Sequence, residues 1–190
     1  MIDQIEYLKL YTVENEYIKD LHDNVNAHVF ANVDTGYRHS RKYLGVLLNV
    51  NGCLYFAPLS SPKNSDFTMV GGRRVIRNSI LPIIRITETD IYGKRHLLGT
   101  IKLSNMIPVP KCKLVLYDLD KETDEDYRNL VLKEKRFINR NKEMIIAHAE
   151  TLYREKCSGT NAGRGYLKDT FDFAAFEKYI TVHYSGEDME

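Results

Sequence analysis

The chain has few cysteines and no long apolar run, and both shortages restrict the kinds of protein it can be. Three cysteines, Cys53, Cys112 and Cys157, lie far apart among 190 residues, which argues against a disulfide framework and a zinc site. No run approaches the ~20 apolar residues of a membrane span, and the first residues lack the pattern of a signal peptide. We therefore expect a cytoplasmic protein that makes no contact with a membrane.

The sequence also lacks the usual metal, cofactor and nucleophile motifs. Its six histidines show no spacing typical of a metal site, and no carboxylate triplet accompanies them. The glycines at 71–72 and 163–165 do not form a strand–loop–helix phosphate motif, and no Gly-x-Ser-x-Gly or Cys–His arrangement is present. We expect neither a metal nor a cofactor.

The charge is unevenly distributed, although the net charge of the whole chain is only +1. Residues 37–113 contain 13 lysines and arginines but only three acidic residues, a net charge of +10, and the remainder carries −9. Clustered cations bind polyanions well because they displace condensed counterions. The basic stretch therefore indicates a polyanion-binding surface, unless its residues are spread around the protein.

Periodicity and turn signals predict a single α+β domain, with a bent antiparallel sheet or small β-barrel in residues 5–120 and helices in 124–182. The strongest local signal is Asn51-Gly52 between the apolar runs 43–50 and 53–59, which predicts a β-hairpin with a type I′ turn. Other predicted segments are strands at 5–13, 74–86, 97–103 and 113–119, a polar loop at 60–72, and helices at 14–23, 124–156 (bent near residues 139–141) and 171–180.

The hairpin brings two polar, cationic segments to one rim of the sheet. Lys42 lies nine residues before Asn51, and Ser61 lies nine residues after Gly52, so antiparallel pairing places them at the same end. Pro62 favours an extended conformation at Ser61, which makes Ser61 and Lys63 project together. A hydroxyl beside an ammonium group is suited to holding a phosphate.

Several segments match a known family in order along the chain. They are Tyr43-Leu44-Gly45-Val46-Leu47-Leu48, Asn51-Gly52, the specific segment Tyr55-Phe56-Ala57-Pro58-Leu59-Ser60-Ser61-Pro62-Lys63, and Asn105-Met106-Ile107-Pro108-Val109. Over about residues 5–155 the chain resembles the ToxN/AbiQ family of endoribonuclease toxins from type III toxin–antitoxin systems, with the CptN branch most similar. This resemblance implies a MazF- or SH3-like barrel core surrounded by helices.

The resemblance also implies an active site. The catalytic residues of the family correspond to Tyr37, Arg41, Ser60, Ser61 and Lys63. Members often carry a histidine a few residues after this lysine, where this chain has Asn64-Ser65-Asp66-Phe67, so no catalytic role is transferred to Asp66. The remaining basic residues that we predict to bind RNA are Arg38, Lys42, Arg73, Arg74, Arg77, Lys94 and Arg95.

The expected function is that of a sequence-selective, metal-independent endoribonuclease that acts in growth inhibition and phage abortive infection. Cellular and phage mRNA would be its substrates. Its inhibitor would be a structured repeat RNA, expected to fold as a pseudoknot, in a closed protein–RNA hetero-oligomer. Two alternatives remain open from the residues alone. A non-catalytic RNA-binding barrel would use the same basic rim, and an SH3-like protein-interaction module explains the hairpin but not the basic stretch.

The expected reaction uses the 2′-hydroxyl of the substrate as nucleophile and leaves a 2′,3′-cyclic phosphate and a 5′-hydroxyl. Lys63 and Arg41 would neutralise the phosphorane oxygens, the hydroxyls of Ser60 and Ser61 would position the phosphate, and Tyr37 would stack on a base or protonate the leaving oxygen. The general base is not identified, because serine and tyrosine are poor bases at their ordinary pKa. His39 is a nearby candidate.

Because side chains supply all these charges, RNA cleavage should persist in excess chelator. The measurement is cleavage of a permissive RNA before and after metal removal, with circular dichroism as the control for folding. Activity that disappears from a folded, metal-free protein would contradict the prediction.

Overall fold

A computed structural model describes residues 8–29, 41–159, 161 and 163–184, which form antiparallel strands and four α-helices. None of these helices is long and apolar enough to cross a membrane. The strands are β1 (Lys9–Val13), β2 (Tyr43–Val50), β3 (Cys53–Ser60), β4 (Phe67–Val70), β5 (Arg73–Ile76), β6 (Ile83–Thr89), β7 (Arg95–Lys102), β8 (Ile107–Pro108) and β9 (Leu114–Leu116). The helices are α1 (Asn15–Asn24), α2 (Glu125–Arg140), α3 (Lys142–Ser158) and α4 (Phe173–His183).

The main sheet is open rather than closed. Its strand order is β6-β7-β3-β2-β1-β9, with β8 also paired to β3, while β4 and β5 form a separate hairpin. The two end strands, β6 and β9, do not pair with each other in the part of the chain that the structure describes. The predicted α+β class with an antiparallel sheet is confirmed. Of the two predicted forms, bent sheet or small barrel, the described strands form an open sheet, and a MazF- or SH3-like barrel is not confirmed. Helices α2 and α3 pack on the sheet and bury its apolar side, so burial does not require closure.

The β2–β3 hairpin forms as predicted, with a bulge that the sequence did not reveal. Asn51 and Gly52 have φ angles of 53° and 78°, as a type I′ turn requires. The pairing Leu48↔Tyr55 is followed by Leu44↔Ala57, so β2 advances four residues while β3 advances two. Gly45 lies in this bulge, where a Cβ would overlap the Phe56 ring. A glycine is therefore needed for the two strands to approach each other here.

The long helical region is divided at Asn141, close to the predicted bend. The Asn141 backbone N–H donates to the carbonyls of Phe137 and Ile138 at 3.1 Å, and its Nδ2 donates to Phe137 O at 2.8 Å. These bonds satisfy carbonyls at the end of α2, and α3 begins at the next residue. The apolar residues that α2 and α3 bury join the strands in one cluster; they are Val131, Ile138, Ile145, Ala149 and Leu152.

A buried carboxylate lies where α2 packs on the sheet. Glu134 is only 8% exposed, and a Cβ added to Gly99 of β7 would lie 2.7 Å from Glu134 Oε1. The glycine thus makes room for this side chain. Among the described residues, Glu134 forms no ion pair or hydrogen bond, and burial raises its pKa to about 7.

Glu134 should make the protein less stable as the pH rises from about 4.5 to about 7. In this window the unfolded chain has lost the Glu134 proton and the folded protein keeps it, so the free energy of unfolding falls with pH. A difference of about 2.5 pKa units corresponds to about 3 kcal/mol. Glu134→Gln should reduce this slope, as measured by urea unfolding at several pH values. Equal slopes for the two proteins would contradict the prediction.

Candidate active site

A row of polar side chains crosses three neighbouring strands. Ser60, the last residue of β3, pairs with Thr100 of β7, and Thr100 pairs in turn with Arg85 of β6. Residues directly opposite each other in antiparallel strands project from the same face of a sheet. The row therefore lies on one face, at the rim where β3 ends.

Arg41 extends this row on the β2 side. Arg41 Nη1 donates to Ser60 Oγ at 3.3 Å. The neighbouring residues, Lys42 and Leu59, are joined by a backbone bond in which the Leu59 N–H donates to Lys42 O at 2.9 Å. The predicted convergence of these two segments is confirmed. The residue count alone placed Ser61 opposite Lys42, whereas the bulge shifts the register by two residues and brings Arg41 to Ser60.

The loop after β3 is held by Asp66. Asp66 Oδ2 accepts from the Lys63 N–H at 2.9 Å, and the Asp66 N–H donates to Lys63 O at 3.0 Å. These reciprocal bonds define the short 3₁₀ turn Asn64–Asp66 and fix the backbone of Lys63 in an extended conformation. The Ser61 and Lys63 side chains are exposed beside the row.

Asp66 in turn is anchored by a buried ion pair. Its Oδ1 lies 3.2 Å from Arg85 Nη2, with the side chains only 10% and 6% exposed. Arg85 also donates from Nη1 to Asn78 O at 2.6 Å, and its N–H donates to Ser79 Oγ at 2.8 Å. Asp66, which stands in the segment where the family often has a histidine, therefore positions the Lys63 loop from inside the protein.

Lys102 is the site residue that sequence reasoning missed. It follows Thr100 by two positions in β7 and so projects from the same face as Ser60. Burial lowers its pKa, and the nearby positive charges of Lys63 and Arg41 lower the pKa further. Its position as a lysine inside the apolar run 97–103 was a possible signal. Only the pairing of β7 with β3 places this lysine beside Ser60, and that pairing cannot be predicted from the sequence.

Lys42 does not lie with this cluster. Only 7% of it is exposed, and its Nζ lies 4.2 Å from the ring centre of Tyr117 and 5.5 Å from that of Tyr127. Burial lowers its pKa, although the Glu122 carboxylate opposes the shift. As the neighbour of Arg41 in an extended segment, it projects to the opposite face. This burial favours a structural role for Lys42 over the predicted contact with RNA.

The other predicted RNA-binding residues lie on two hairpins. In the β4–β5 hairpin Arg73 is exposed, Arg74 packs over the Phe67 ring at 3.8 Å, and Arg77 Nε donates to Phe67 O at 3.1 Å. Lys94 and Arg95 are exposed near the β6–β7 turn. Arg74 also donates to Asn64 Oδ1 at 3.1 Å, which connects the β4–β5 hairpin to the Lys63 loop. Tyr37, Arg38 and His39 lie outside the described residues.

The arrangement is suited to binding a phosphate. Arg41, Lys63 and Lys102 come from three separate segments and bring positive charges close together, an arrangement that favours a bound anion. The Asp66 carboxylate acts on Lys102 in the opposite direction and raises its pKa. Ser60 adds a hydroxyl to this group. In the described ranges, no cluster of three His, Cys, Asp or Glu residues is placed to hold a metal ion.

An open antiparallel sheet with basic side chains on its rim is the architecture expected of a protein that binds a polyanion. The family profile described as "Toxin ToxN, type III toxin-antitoxin system" matches residues 9–181. The chain therefore belongs to the ToxN toxin family. The predicted family is confirmed, and so is the predicted enzyme class, an endoribonuclease.

Individual relatives and solved structures agree with this assignment. Endoribonuclease ToxN of Pectobacterium atrosepticum is 27% identical over 187 residues, which cover 96% of this chain and 98% of the relative. A solved structure from "New insights into the mechanism of bacterial Type III toxin-antitoxin systems: selective toxin inhibition by a non-coding RNA pseudoknot" is similar, with a TM-score of 0.72 and 28% identity over 94% of this chain and 98% of that one. Another, of "AbiQ, a lactococcal anti-phage endoribonuclease", has a TM-score of 0.70 and 26% identity over 96% of this chain and 100% of that one.

Removing the Asp66 carboxylate should destabilise the protein by about 3 kcal/mol, because Arg85 would keep a buried charge without its partner. The measurement is the denaturant midpoint of Asp66→Ala. The matched control is Lys133→Ala, which breaks the exposed pair with Glu88 (2.8 Å) and should cost less than about 1 kcal/mol. Adding Arg85→Met to Asp66→Ala should restore part of the stability. Similar losses for Asp66→Ala and Lys133→Ala would contradict the prediction.

Proposed function

We propose that this endoribonuclease cleaves RNA without a metal ion, by attack of the substrate's own 2′-hydroxyl at the cationic rim. The observation that supports this most directly is the bond from Arg41 Nη1 to Ser60 Oγ at 3.3 Å, with Lys102 on the same face of the sheet and Lys63 in the loop that follows Ser60. Such a cluster is arranged to bind a phosphodiester. It also favours the phosphorane, which carries more negative charge than the substrate.

In the proposed reaction the 2′-oxygen forms a bond to phosphorus while the bond from phosphorus to the 5′-oxygen breaks. A base accepts the 2′-proton, and an acid protonates the leaving 5′-oxygen, so the products are a 2′,3′-cyclic phosphate and a 5′-hydroxyl. Arg41 and Lys63 neutralise the phosphorane oxygens, and Lys102 adds a third cation. Ser60 and Ser61 position the phosphate. Tyr37 stays the predicted residue for base stacking or protonation, and His39 stays a candidate base.

The proposed inhibitor is a structured repeat RNA, expected to be a pseudoknot, bound in a closed protein–RNA hetero-oligomer. One similar solved structure belongs to work on "selective toxin inhibition by a non-coding RNA pseudoknot". The exposed cations of the two hairpins provide a surface for many phosphate contacts; they are Arg73, Arg74, Arg77, Lys94 and Arg95. Cellular and phage mRNA are the proposed substrates, since another similar structure is of an "anti-phage endoribonuclease".

We also infer a cytoplasmic location and a kinship with MazF- and SH3-like proteins, both of which stay predictions. Cys53, Cys112 and Cys157 are not joined in disulfides, which fits a reducing compartment. The antiparallel hairpins are compatible with a distant relationship to small barrels.

Lys63→Ala should lower the rate of single-turnover RNA cleavage about 10²–10³-fold, the usual cost of losing one preorganised donor to the transition state. Its affinity for the antitoxin RNA should fall much less, because many phosphate contacts share that binding. Ser61→Ala should change the rate in the same direction.

The matched control is Ser65→Ala in the same loop, which should change neither quantity appreciably. Equal losses of rate and affinity in Lys63→Ala would make Lys63 a binding residue only. Such a result would favour the alternative of a non-catalytic role for this rim. Unchanged cleavage by Lys63→Ala would place the active site elsewhere in the protein.

A further inference from the structure

A cleft of about 640 Å³ opens beside the cationic cluster. It lies between the segment after α1, the 3₁₀ turn Leu103–Asn105 that follows β7, and the segment Lys168–Phe171 that precedes α4. Clefts that bind small organic groups have volumes of about 300–1,000 Å³. The cleft is thus large enough for a nucleotide.

Lys102 connects this cleft to the active site. It lines the cleft, and its ammonium group interacts with those of Lys63 and Arg41 closely enough to be affected by their charges. Lys102 therefore belongs both to the cluster and to the lining of the cleft, so a phosphate held by Lys102 would lie next to the cleft. In single-stranded RNA each phosphate is covalently linked to the nucleotides on both sides, so one of the adjacent bases comes within reach of the cleft.

Two carboxamides in the cleft are already oriented by the protein. Asn105 Oδ1 accepts from Ser104 Oγ at 2.9 Å, and Asn26 Oδ1 accepts from the His28 N–H at 2.8 Å. With the oxygens engaged, the NH₂ groups are left as donors to a ligand. The turn that carries Asn105 is joined to the segment Lys168–Phe171, because the Phe171 N–H donates to Ser104 O at 2.9 Å.

The remaining lining residues provide flat rings and charges. His22 and His28 offer imidazole rings, Lys168 offers a cation, and the Asp169 carboxylate is an acceptor for an exocyclic amino group. Phe171 is only 5% exposed and stacks on Phe176, so its ring belongs mainly to the core. Aromatic and imidazole rings together with fixed amide donors are the groups with which proteins read the unstacked bases of single-stranded RNA. A groove that bound only phosphates would require cations alone, so the rings and the two carboxamides indicate that a base binds here.

We propose that this cleft binds the nucleobase next to the scissile phosphate and sets the sequence preference of cleavage. This inference rests on the proposed function, since it takes the Arg41–Lys63–Lys102 cluster as the site of the scissile phosphate. Asn105 and Asn26 are the specificity-determining donors. Base discrimination then occurs in the cleft, and charge stabilisation occurs in the cluster.

The test is to map cleavage ends in a pool of RNA with randomised sequence, using Asn105→Ala and the unmodified protein. Loss of one fixed base contact should reduce the preference at a single position about 10-fold or more. His28→Ala, which removes only an exposed ring, should weaken the preference at the same position and serves if Asn105→Ala folds poorly. Asn129→Ala removes an exposed carboxamide on α2, outside the cleft, and should leave the map unchanged.

Lys63→Ala separates this inference from the proposed function. It should slow cleavage of all sequences and leave the preference intact. If Lys63→Ala cleaves normally while Asn105→Ala changes the preference, the phosphate site is wrong and the base-binding cleft stands. If Asn105→Ala and His28→Ala leave the preference unchanged, or slow all sequences equally, the cleft proposal is overturned. Loss of antitoxin affinity with an unchanged preference overturns it too, because the cleft would then hold an antitoxin base.

Discussion

The buried ion pair between Asp66 and Arg85 connects the interior of the protein to the candidate site at the rim of the sheet. Arg85 belongs to the same row as Ser60 and Thr100, and Asp66 holds the backbone of Lys63 through reciprocal hydrogen bonds. A single carboxylate therefore couples the position of an exposed lysine to the pairing of β6 with β7. Without the ion pair, the loop after β3 would still be held by its own turn and by the bond from Arg74 to Asn64, but Asp66 would lose its buried anchor.

Much of the fold could be predicted because it is encoded by local signals. Asn51-Gly52 fixes a hairpin within one short segment, and the break near Asn141 follows from the two asparagines, Asn139 and Asn141, within the helical pattern. Strand β4 was missed because residues 67–70 do not alternate between apolar and polar residues, and Met69 and Val70 are exposed. The predicted strand 74–86 is in fact two strands, β5 and β6. The Gly71-Gly72 turn, with φ angles of 54° and 74°, was the overlooked signal.

The part of the candidate site that the β2–β3 hairpin brings together could be predicted from the sequence, and the rest could not. Arg41 and Ser60 meet because β2 and β3 are consecutive, although the bulge at Gly45 changes which residues face each other. Lys102 lies beside Ser60 because β7 pairs with β3, and that pairing depends on the packing of the whole sheet. Lys42 had the charge and the position of a binding residue. In the structure Lys42 projects to the other side of the strand and lies against Tyr117 and Tyr127. The charge count of the segment does not show which side of the strand a lysine faces.

The strand order also has a consequence for the timing of synthesis. Ser60 and Arg41 are made early, but Lys102 reaches them only after β7 has been synthesised and has paired with β3. At one side of the sheet, β1 gains its outer neighbour only when β9 has been made, since Tyr11 pairs with Leu116. Such non-local pairings form slowly because the intervening chain must be ordered first. A nascent chain released before residue 100 lacks both the strand beside Ser60 and the third cation, so the candidate site cannot assemble until about half of the protein has been made.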